Sequence, residues 1–372
     1  MNHAIIQWSD LPSSRPSSLE SLEKVCHPVV SQSYLRTLDR CPRYALWSYH
    51  LGLKLARAHR SPAATTGTLA HGLLQCRYAA GSDVTDAEVE ESCQTLVDEK
   101  VAEEQALLEG DLTGQAEANI QAIGRAWDVA RTIVRIFWDR YPLPDDIEVL
   151  DSERTIIGSA ISRSQEGPVG GTLDLALRKG DDTWLVDHKT VSEDPAKRFK
   201  GYSFDPQYQL YPLLWGLTKG EAPVGFIFNY IQVPTIKFCK KDKTFNDYVA
   251  RCGKWYDQQD HAPITSWAIR INPKTHLTEE FEEKVDDAIW RANSHWWSGG
   301  HWEADWPRHS CSCRLYNREC PYLGLCEACD GPEGKVATVL ADNFIQKLDE
   351  PVDTGSDNLD FEDKEMRRWD NE

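Results

Sequence analysis

The sequence contains no apolar run as long as a membrane-spanning helix requires. Its first residues lack the basic start and apolar core of a secretory signal. Basic charge is not in excess either, because 41 Lys and Arg stand against 59 Asp and Glu, a net charge of −18. That balance argues against a protein that wraps nucleic acid around a wholly basic surface. We therefore expect a soluble cytoplasmic protein whose contacts with any polyanion are local.

What the sequence does contain is the composition of a globular protein, with 41% hydrophobic and 27% charged residues among 372. Residues 1–30 are rich in Ser and Pro and predict a flexible N-terminal segment, whereas the acidic stretch 331–372 predicts a disordered tail. One α/β domain is predicted between them, over residues 31–330, with a helical insertion at about 80–140.

Capping signals and apolar spacing locate several elements. Ser31 or Ser33 caps a first helix, a second begins near 65–68, and Asp205 caps a third that has Pro206 at its first position. The segment after residue 146 is strand-rich, "VGFIFNYIQV" reads as a buried strand, and a late helix is predicted at about 278–295.

The stretch "GGTLDLALRKGDDTWLVDHKT", residues 170–190, predicts a β-hairpin with its turn at 179–182. Alternation along the strands predicts one apolar face shared by Leu173, Leu175 and Leu177. In this register Leu175 lies opposite Val186, and the following pairs are also expected: Leu177 with Trp184, and Asp174 with Asp187.

Two carboxylates directly across a strand pair repel each other unless a cation lies between them. A hard divalent cation with oxygen ligands resolves this conflict, and Lys189 points from the same face as Asp187. Such a group of residues suits metal-assisted hydrolysis of a phosphodiester, in which the lysine offsets charge on the phosphate. The alternative is an ordinary hairpin with one solvated face.

Short motifs in a fixed order carry a family resemblance. "GTLAHGLLQ", "GTLDL", "LVDHKT" and "QYQLY" occur in the order seen in RecB-type nucleases of the PD-(D/E)XK superfamily. The resemblance covers about residues 31–329 and implies a restriction-endonuclease-like core, a central mixed β-sheet flanked by helices.

The resemblance also implies roles for individual residues. His71, Asp174 and Asp187 would be metal ligands, and Lys189 would be the catalytic lysine. Four further positions are assigned less directly: Gln207 and Tyr211, one helical turn apart and facing the DNA and the lysine, and Glu153 as a further acid, with Asp151 as its alternative.

Five of the eleven cysteines cluster near the end of the predicted domain: Cys311, Cys313, Cys320, Cys326 and Cys329. Four thiolates bind either tetrahedral zinc or an iron–sulfur cluster, and the paired C-x-x-C knuckles typical of structural zinc are lacking. The remaining cysteines are expected to be ordinary small buried residues: Cys26, Cys76, Cys93, Cys239 and Cys252.

Cys313, Cys320 and Cys326 resemble the C-terminal cysteine triplet of iron–sulfur RecB-type nucleases, including AddB-type helicase–nucleases and their CRISPR-associated relatives. In that family the fourth ligand lies far upstream, where this chain has Cys41. The resemblance implies a 4Fe–4S cluster that staples the C-terminal segment to the core, with zinc as the alternative metal and Cys311 and Cys329 as alternative ligands.

Together these features predict a Mg²⁺- or Mn²⁺-dependent DNA nuclease, an exonuclease acting on single strands or DNA ends. The family implies recombination, repair or phage DNA processing, with a helicase or recombination partner, near the nucleoid or in a phage-infected cell. Two other hypotheses remain: a non-catalytic DNA-binding scaffold with a nuclease fold, and a zinc-stabilised interaction protein.

Overall fold

A computed structural model describes most of the chain, namely residues 28–55, 62–81, 84–108, 115–162, 165–272, 276–293, 305–315, 318–330 and 335–346. No helix in these ranges is both long enough and apolar enough to cross a membrane. Residues 1–27 of the predicted flexible segment, Cys26 among them, lie outside the described residues.

Helices and strands are mixed along the chain, with three consecutive helices followed by three consecutive strands. The α-helices are α1 (Gln32–Arg40), α2 (Pro42–Ala45), α3 (Pro62–Ala80), α4 (Asp86–Leu108), α5 (Gln115–Arg140), α6 (Pro195–Phe199), α7 (Pro206–Lys219), α8 (Phe245–Asp257), α9 (Glu279–Asn293), α10 (Leu323–Cys329) and α11 (Lys335–Asn343). The strands are β1 (Leu53–Leu55), β2 (Glu148–Ser162), β3 (Gln165–Lys179), β4 (Asp182–Val191), β5 (Gly225–Gln232), β6 (Ile264–Arg270), β7 (Arg314–Leu315), β8 (Arg318–Glu319) and β9 (Phe344–Gln346).

Local sequence explains where these helices begin. Ser31 is the N-cap of α1 and accepts a hydrogen bond from the backbone of Tyr34, and Asp205 caps α7 ahead of Pro206. Both caps were predicted. Helix α8 and strand β6 were not predicted, although Thr244 and Asp247 form a capping box at the start of α8.

The central sheet has five strands in the order β2-β3-β4-β5-β6. β4 and β5 are parallel and the other neighbours are antiparallel. A parallel pair needs a crossover connection, and α6 and α7 provide it. The predicted α/β class, with a mixed sheet flanked by helices, is confirmed.

Helices cover both faces of this sheet. Buried residues of α1, α7 and α9 pack with one face, and those of α3, α5 and α8 pack with the other. Leu175 and Leu177 belong to the second cluster, whereas Leu173 belongs to the first. The prediction that Leu173 shares a face with them is wrong at this point, because β3 changes its packing partners beside Asp174.

The hairpin turn has the predicted register. Lys179 pairs with Asp182, and Leu175 pairs with Val186 at the other end of the ladder. Gly180 has a φ of 59°, a left-handed conformation that glycine adopts without strain. The sequence therefore predicted the turn correctly, together with the register from the turn to Leu175 and Val186.

The two ends of the predicted domain are more ordered than expected. Val30 pairs with β3 through hydrogen bonds to Pro168 and Gly170. Residues 335–346, predicted as part of a disordered tail, form α11 and β9, and β9 pairs with β1. Leu340 and Phe344 are buried, so two apolar side chains anchor this segment to the core. Residues 347–372 lie outside the described residues.

Candidate active site

Three side chains from three elements meet beside the β3–β4 hairpin. Nδ1 of His71, on α3, lies 3.2 Å from Oε1 of Glu153 on β2 and 3.4 Å from Oδ1 of Asp174 on β3. Their ligand atoms all lie within 4.8 Å of one another. The structure thus brings two of the predicted metal ligands, His71 and Asp174, together with the further acid Glu153.

An irregularity in β2 presents Glu153 to this group. The pairing of β2 with β3 shifts between Val149 and Asp151, and Glu153 itself has a φ of 45°. Such a conformation is strained for a residue with a Cβ, and strain of this kind concentrates at functional sites. Asp151 is turned elsewhere, into ion pairs with Lys219 at 2.7 Å and Arg154 at 2.9 Å.

The two hairpin strands separate at the site. Their ladder ends at Leu175 and Val186, so it does not include the expected cross-strand pair of Asp174 and Asp187. Instead, Oδ2 of Asp174 accepts a hydrogen bond of 2.7 Å from the backbone N–H of His188. The Asp174 side chain thereby replaces the backbone carbonyl of β3 that would accept this bond in a continuous ladder. The strands are therefore open at this point, beside His71 and Glu153.

Asp187 lies in this opening, buried to 1% exposure, with its Oδ2 atom 2.8 Å from Nζ of Lys189. Within the described residues no well-directed hydrogen bond reaches that oxygen. Burial raises the pKa of Asp187 to about 7, although the Lys189 ammonium opposes this, and the charge of Asp174 raises it further. The carboxylate therefore lacks sufficient stabilisation from protein groups alone.

A chain of polar contacts holds Lys189. Its Nζ donates to Oε1 of Gln207, whose Nε2 donates to the Tyr211 hydroxyl at 3.2 Å. Asp205, the N-cap of α7, pairs with Arg36 at 2.9 Å. Burial would lower the pKa of Lys189, but Asp187 and Asp205 raise it above its usual value. Lys189 is therefore a fixed ammonium group, with the predicted Gln207 and Tyr211 beside it.

The carboxylates create a field that favours positive charge. Burial alone would lower the pKa of His71, yet Asp174 and Glu153 raise it well above its usual value. The pKa of Asp174 is lowered because His71 outweighs burial, whereas burial raises the pKa of Glu153. A site that draws a proton onto an imidazole in this way also attracts a metal cation.

Some contributing residues were not predicted. His188, between Asp187 and Lys189, is buried; its Nε2 lies 3.3 Å from the Tyr78 hydroxyl and its Nδ1 3.4 Å from Nδ2 of Asn229. Because Tyr78 and His71 are both on α3, this contact ties α3 to β4. The only sequence signal for His188 was its position inside the motif "VDHKT". Arg36, which pairs with Asp205, had no such signal.

The donor groups fit a hard divalent cation. Asp174 and Glu153 offer carboxylate oxygens and His71 offers one imidazole nitrogen, all within 4.8 Å of one another. Asp187 lies outside this group, and its buried Oδ2 atom contacts Lys189 without a well-directed hydrogen bond. Oxygen-rich sets of this kind suit Mg²⁺ and Mn²⁺ rather than metals that prefer thiolates.

The four predicted cysteine ligands lie near one another at a second place. Cys41 lies between α1 and α2, and the thiols of Cys313, Cys320 and Cys326 are all close enough to Cys41 for it to raise their pKa values. Burial is the larger cause in each case, and it raises the pKa of Cys320 to about 11. All four are free thiols. Thiols become thiolates when a metal binds, and four of them are the number that zinc or an iron–sulfur cluster takes.

Hydrogen bonds donated by side chains hold the two ends of this cysteine group together. The Arg40 carbonyl accepts a hydrogen bond from Oγ of Ser312 at 2.7 Å, and Nε of Arg43 donates to the Trp306 carbonyl at 3.0 Å. Trp47 donates to Sγ of Cys326 at 3.5 Å. Residues near position 40 are thus joined directly to residues beyond position 305.

The remaining cysteines differ in exposure. Cys93 and Cys252 are buried as predicted, and Cys76 is half-buried. Cys239 is exposed, so the prediction that it is buried is wrong; it lies in a surface loop after β5. The alternative ligands also differ, since Cys311 is exposed and Cys329 is half-buried.

Comparison with known proteins identifies the family. Residues 29–327 match the PD-(D/E)XK nuclease superfamily. A search of curated proteins found no match. A solved structure described as "Crystal structure of SSO0001" is 14% identical, with a TM-score of 0.25, over 53% of this chain and 75% of that one, a likeness too weak to bear on the fold. Because the family match spans most of its length, the chain belongs to the PD-(D/E)XK nuclease superfamily.

Proposed function

We propose that this protein is a RecB-type, Mg²⁺- or Mn²⁺-dependent deoxyribonuclease, acting as an exonuclease on single-stranded DNA or DNA ends. The observation that carries the proposal is the Asp187–Lys189 ion pair at 2.8 Å, next to the group formed by His71, Glu153 and Asp174. Membership of a nuclease superfamily supports the reaction class. Carboxylates, an imidazole and a lysine in one opening of a sheet suit hydrolysis of a phosphodiester.

His71, Asp174 and Asp187 are the proposed metal ligands, with Glu153 as a further acid at the same site. A bound divalent cation would polarise the phosphate and lower the pKa of a water molecule. The protein's own contribution is to fix these ligands on α3, β3 and β4, where hydrogen bonding to His188 holds Asp174 in place.

Lys189 is the proposed electrostatic catalyst. Its ammonium is charged at neutral pH, since its pKa is raised despite burial, and it offsets negative charge that develops on the phosphate. Gln207 accepts a hydrogen bond from Lys189 and thereby orients it towards Asp187. Tyr211 supports Gln207 from the next helical turn.

We propose that the cysteine group holds a 4Fe–4S cluster, with Cys41, Cys313, Cys320 and Cys326 as ligands. Their common location supports a shared metal group, and elemental analysis separates iron and sulfide from zinc. In this role the cluster is structural, since it joins residues near 41 to residues beyond 312 and lies apart from the hairpin. The family resemblance further suggests a role in recombination, repair or phage DNA processing. A helicase or recombination protein would be the partner, and the nucleoid would be the location.

The test is release of labelled nucleotides from single-stranded DNA with Mn²⁺, using anaerobically purified protein. Wild type is compared with Lys189→Ala and with Lys179→Ala, a control in the turn of the same hairpin that is paired to Asp146. We expect activity in the wild type and the control, and loss in Lys189→Ala with unchanged visible absorption. Equal activity in all three would place the chemistry elsewhere, and inactivity of the wild type on every DNA form would favour the non-catalytic scaffold.

A further inference from the structure

A surface loop after β5 concentrates positive charge on this acidic chain. Residues 237–243, here called the lysine loop, contain four exposed lysines, listed here: Lys237, Lys240, Lys241 and Lys243. The chain as a whole has a net charge of −18. Within the described ranges, no carboxylate forms an ion pair with any of the four lysines.

The one acid of the loop is turned inwards. Nε and Nη2 of Arg251, on α8, contact the two carboxylate oxygens of Asp242 at 2.9 and 2.6 Å. These bonds from Arg251 hold the pKa of Asp242 below its usual value. Because Asp242 is buried and its charge is balanced by Arg251, the exposed charge of the loop is that of the lysines alone.

The same contacts hold the loop in a fixed shape. Asp242 accepts a hydrogen bond from the backbone of Cys239 at 2.8 Å, and Arg251 donates to the carbonyl of Lys237 at 2.7 Å. The Tyr248 hydroxyl donates to the carbonyl of Ile236 at 3.2 Å. A loop fixed at three backbone positions presents its lysines without further loss of backbone entropy when a ligand binds.

An aromatic ring stands among these lysines. Phe238 is 48% exposed, and its ring meets that of buried Tyr248 edge to face, with centroids 5.6 Å apart. Exposed large apolar side chains of this kind, surrounded by lysines, are a common feature of surfaces that bind unpaired bases. The lysines meet phosphates, and the ring offers a base a stacking surface.

The lysine loop leaves the sheet at the edge where the candidate active site lies. β4 and β5 run in parallel, with Lys189 opposite Tyr230 and Val191 opposite Gln232. The backbone of Val233 donates to Val191 at 2.7 Å where both strands end. In open α/β sheets, ligands bind outside the carboxyl ends of the strands. Lys189 lies near the carboxyl end of β4, and the lysine loop follows the carboxyl end of β5.

We propose that the lysine loop is a docking surface for single-stranded DNA, which holds the strand by its phosphates and by one base stacked on Phe238. This inference rests on the proposed function, because it places the substrate strand of that same site. Lysines act here as point charges, so the binding is independent of sequence and strongly dependent on salt.

The test is fluorescence anisotropy of a labelled oligothymidylate, without added divalent cation, over a range of salt concentrations. One variant changes all four loop lysines to Gln. The matched control changes four lysines elsewhere to Gln and so has the same net charge: Lys100, Lys179, Lys254 and Lys335. We expect the loop variant to lose affinity about tenfold or more, with a salt slope lower by about 3 for single strands. The control should stay close to wild type, and thermal melting checks that both variants are folded.

Phe238→Ala separates stacking from charge. It should weaken oligothymidylate binding by about fivefold or more, leave the salt slope unchanged and leave duplex affinity unchanged. Equal losses in the two lysine variants would mean that only overall charge matters, and would overturn the proposal. So would wild-type affinity in the loop variant, or a Phe238→Ala variant that binds single strands as well as the wild type.

These outcomes are independent of hydrolysis. A wild type that binds through the lysine loop but hydrolyses no DNA would contradict the proposed nuclease and keep the docking surface. A wild type that hydrolyses DNA, with a loop variant that binds as tightly, would keep the nuclease and remove the docking surface.

Discussion

The candidate active-site group at the hairpin (His71, Glu153, Asp174, Asp187 and Lys189) and the cysteine group at the domain ends both gather residues that are distant in sequence, but they do so differently. The hairpin group is mounted on long regular elements, α3, β2, β3, β4 and α7. The cysteine group is mounted on short segments around residues 41, 313, 320 and 326, which hydrogen bonds such as that from Ser312 to Arg40 hold together.

This difference indicates what each group contributes. Regular elements would keep their structure without the polar groups of the hairpin site, and the buried Asp187 costs free energy in the absence of a cation. The short segments reach the core through single side chains such as Trp47, Tyr322 and Leu325, and a shared metal group would add a direct link between them. We therefore expect variants at the hairpin to change activity and variants at the cysteines to change stability.

The largest expected effect is on activity, from Asp174→Asn. This change removes a ligand charge but keeps an oxygen that can accept the hydrogen bond from His188, so we expect hydrolysis of single-stranded DNA to fall by about a thousandfold, about 4 kcal/mol. Nucleotide release with Mn²⁺ measures it, and Asp181→Asn in the turn is the control. A thermal midpoint close to wild type is also expected; a variant as active as wild type would remove Asp174 from the site.

The second-largest expected effect is a loss of stability in the Cys41→Ser variant. Loss of the one proposed ligand from the N-terminal side should lower the free energy of unfolding by about 4 kcal/mol. Chemical denaturation of anaerobic protein measures this, together with iron content. Cys311→Ser is the control, and because Cys311 is exposed we expect a change below about 0.5 kcal/mol. A larger effect for Cys311 than for Cys41 would reverse the proposed ligand assignment.

A finer comparison concerns two acids on β2. Glu153→Gln should lower the rate of hydrolysis about a hundredfold, because Glu153 contacts His71 at 3.2 Å. Asp151→Asn should stay within about threefold, since Asp151 pairs with Lys219 and Arg154 outside the group. Initial rates at saturating Mn²⁺ decide between them, and a larger loss in Asp151→Asn would favour the alternative acid.

The smallest expected effect is a gain in the free energy of unfolding from Asp187→Asn, opposite in sign to the loss expected from Cys41→Ser. In metal-free protein at pH 8, Asp187→Asn should raise the free energy of unfolding by about 2 kcal/mol, because it removes a poorly stabilised buried carboxylate. The folded pKa of about 7 exceeds the ordinary value. The wild type therefore gains stability as the pH falls from 7 towards 4, and the difference shrinks. Denaturation at several pH values measures it; a destabilised variant at pH 8 would contradict this account.

Much of the hairpin could be predicted from sequence because its signals are local. The turn at 179–182 and the alternation of apolar residues fix the register of Leu175 with Val186. The separation of the strands at Asp174 was not predictable, since it depends on α3 and on the strained backbone of Glu153. For the same reason, Asp174 and Asp187 are not paired across the strands. Asp174 lies with His71 and Glu153, whereas Asp187 contacts Lys189.

Other differences arise from composition. The acidic composition of the whole stretch 331–372 predicted a tail that includes residues 335–346. That average hid a local signal, because four apolar residues recur at helical spacing and pack with the core: Val336, Val339, Leu340 and Phe344. The convergence of Cys41 with the late cysteines was predicted from family resemblance, because no local signal links positions so far apart in the chain.

The measurement that bears most directly on the hairpin as a metal site is Mn²⁺ binding, followed by electron paramagnetic resonance of the free ion. Wild type is titrated beside Asp174→Asn and the control Asp181→Asn. We expect saturable binding in the wild type and the control, and affinity at least about tenfold weaker in Asp174→Asn. Equal binding by all three proteins, or no binding by the wild type, would contradict the assignment of the hairpin as the metal centre.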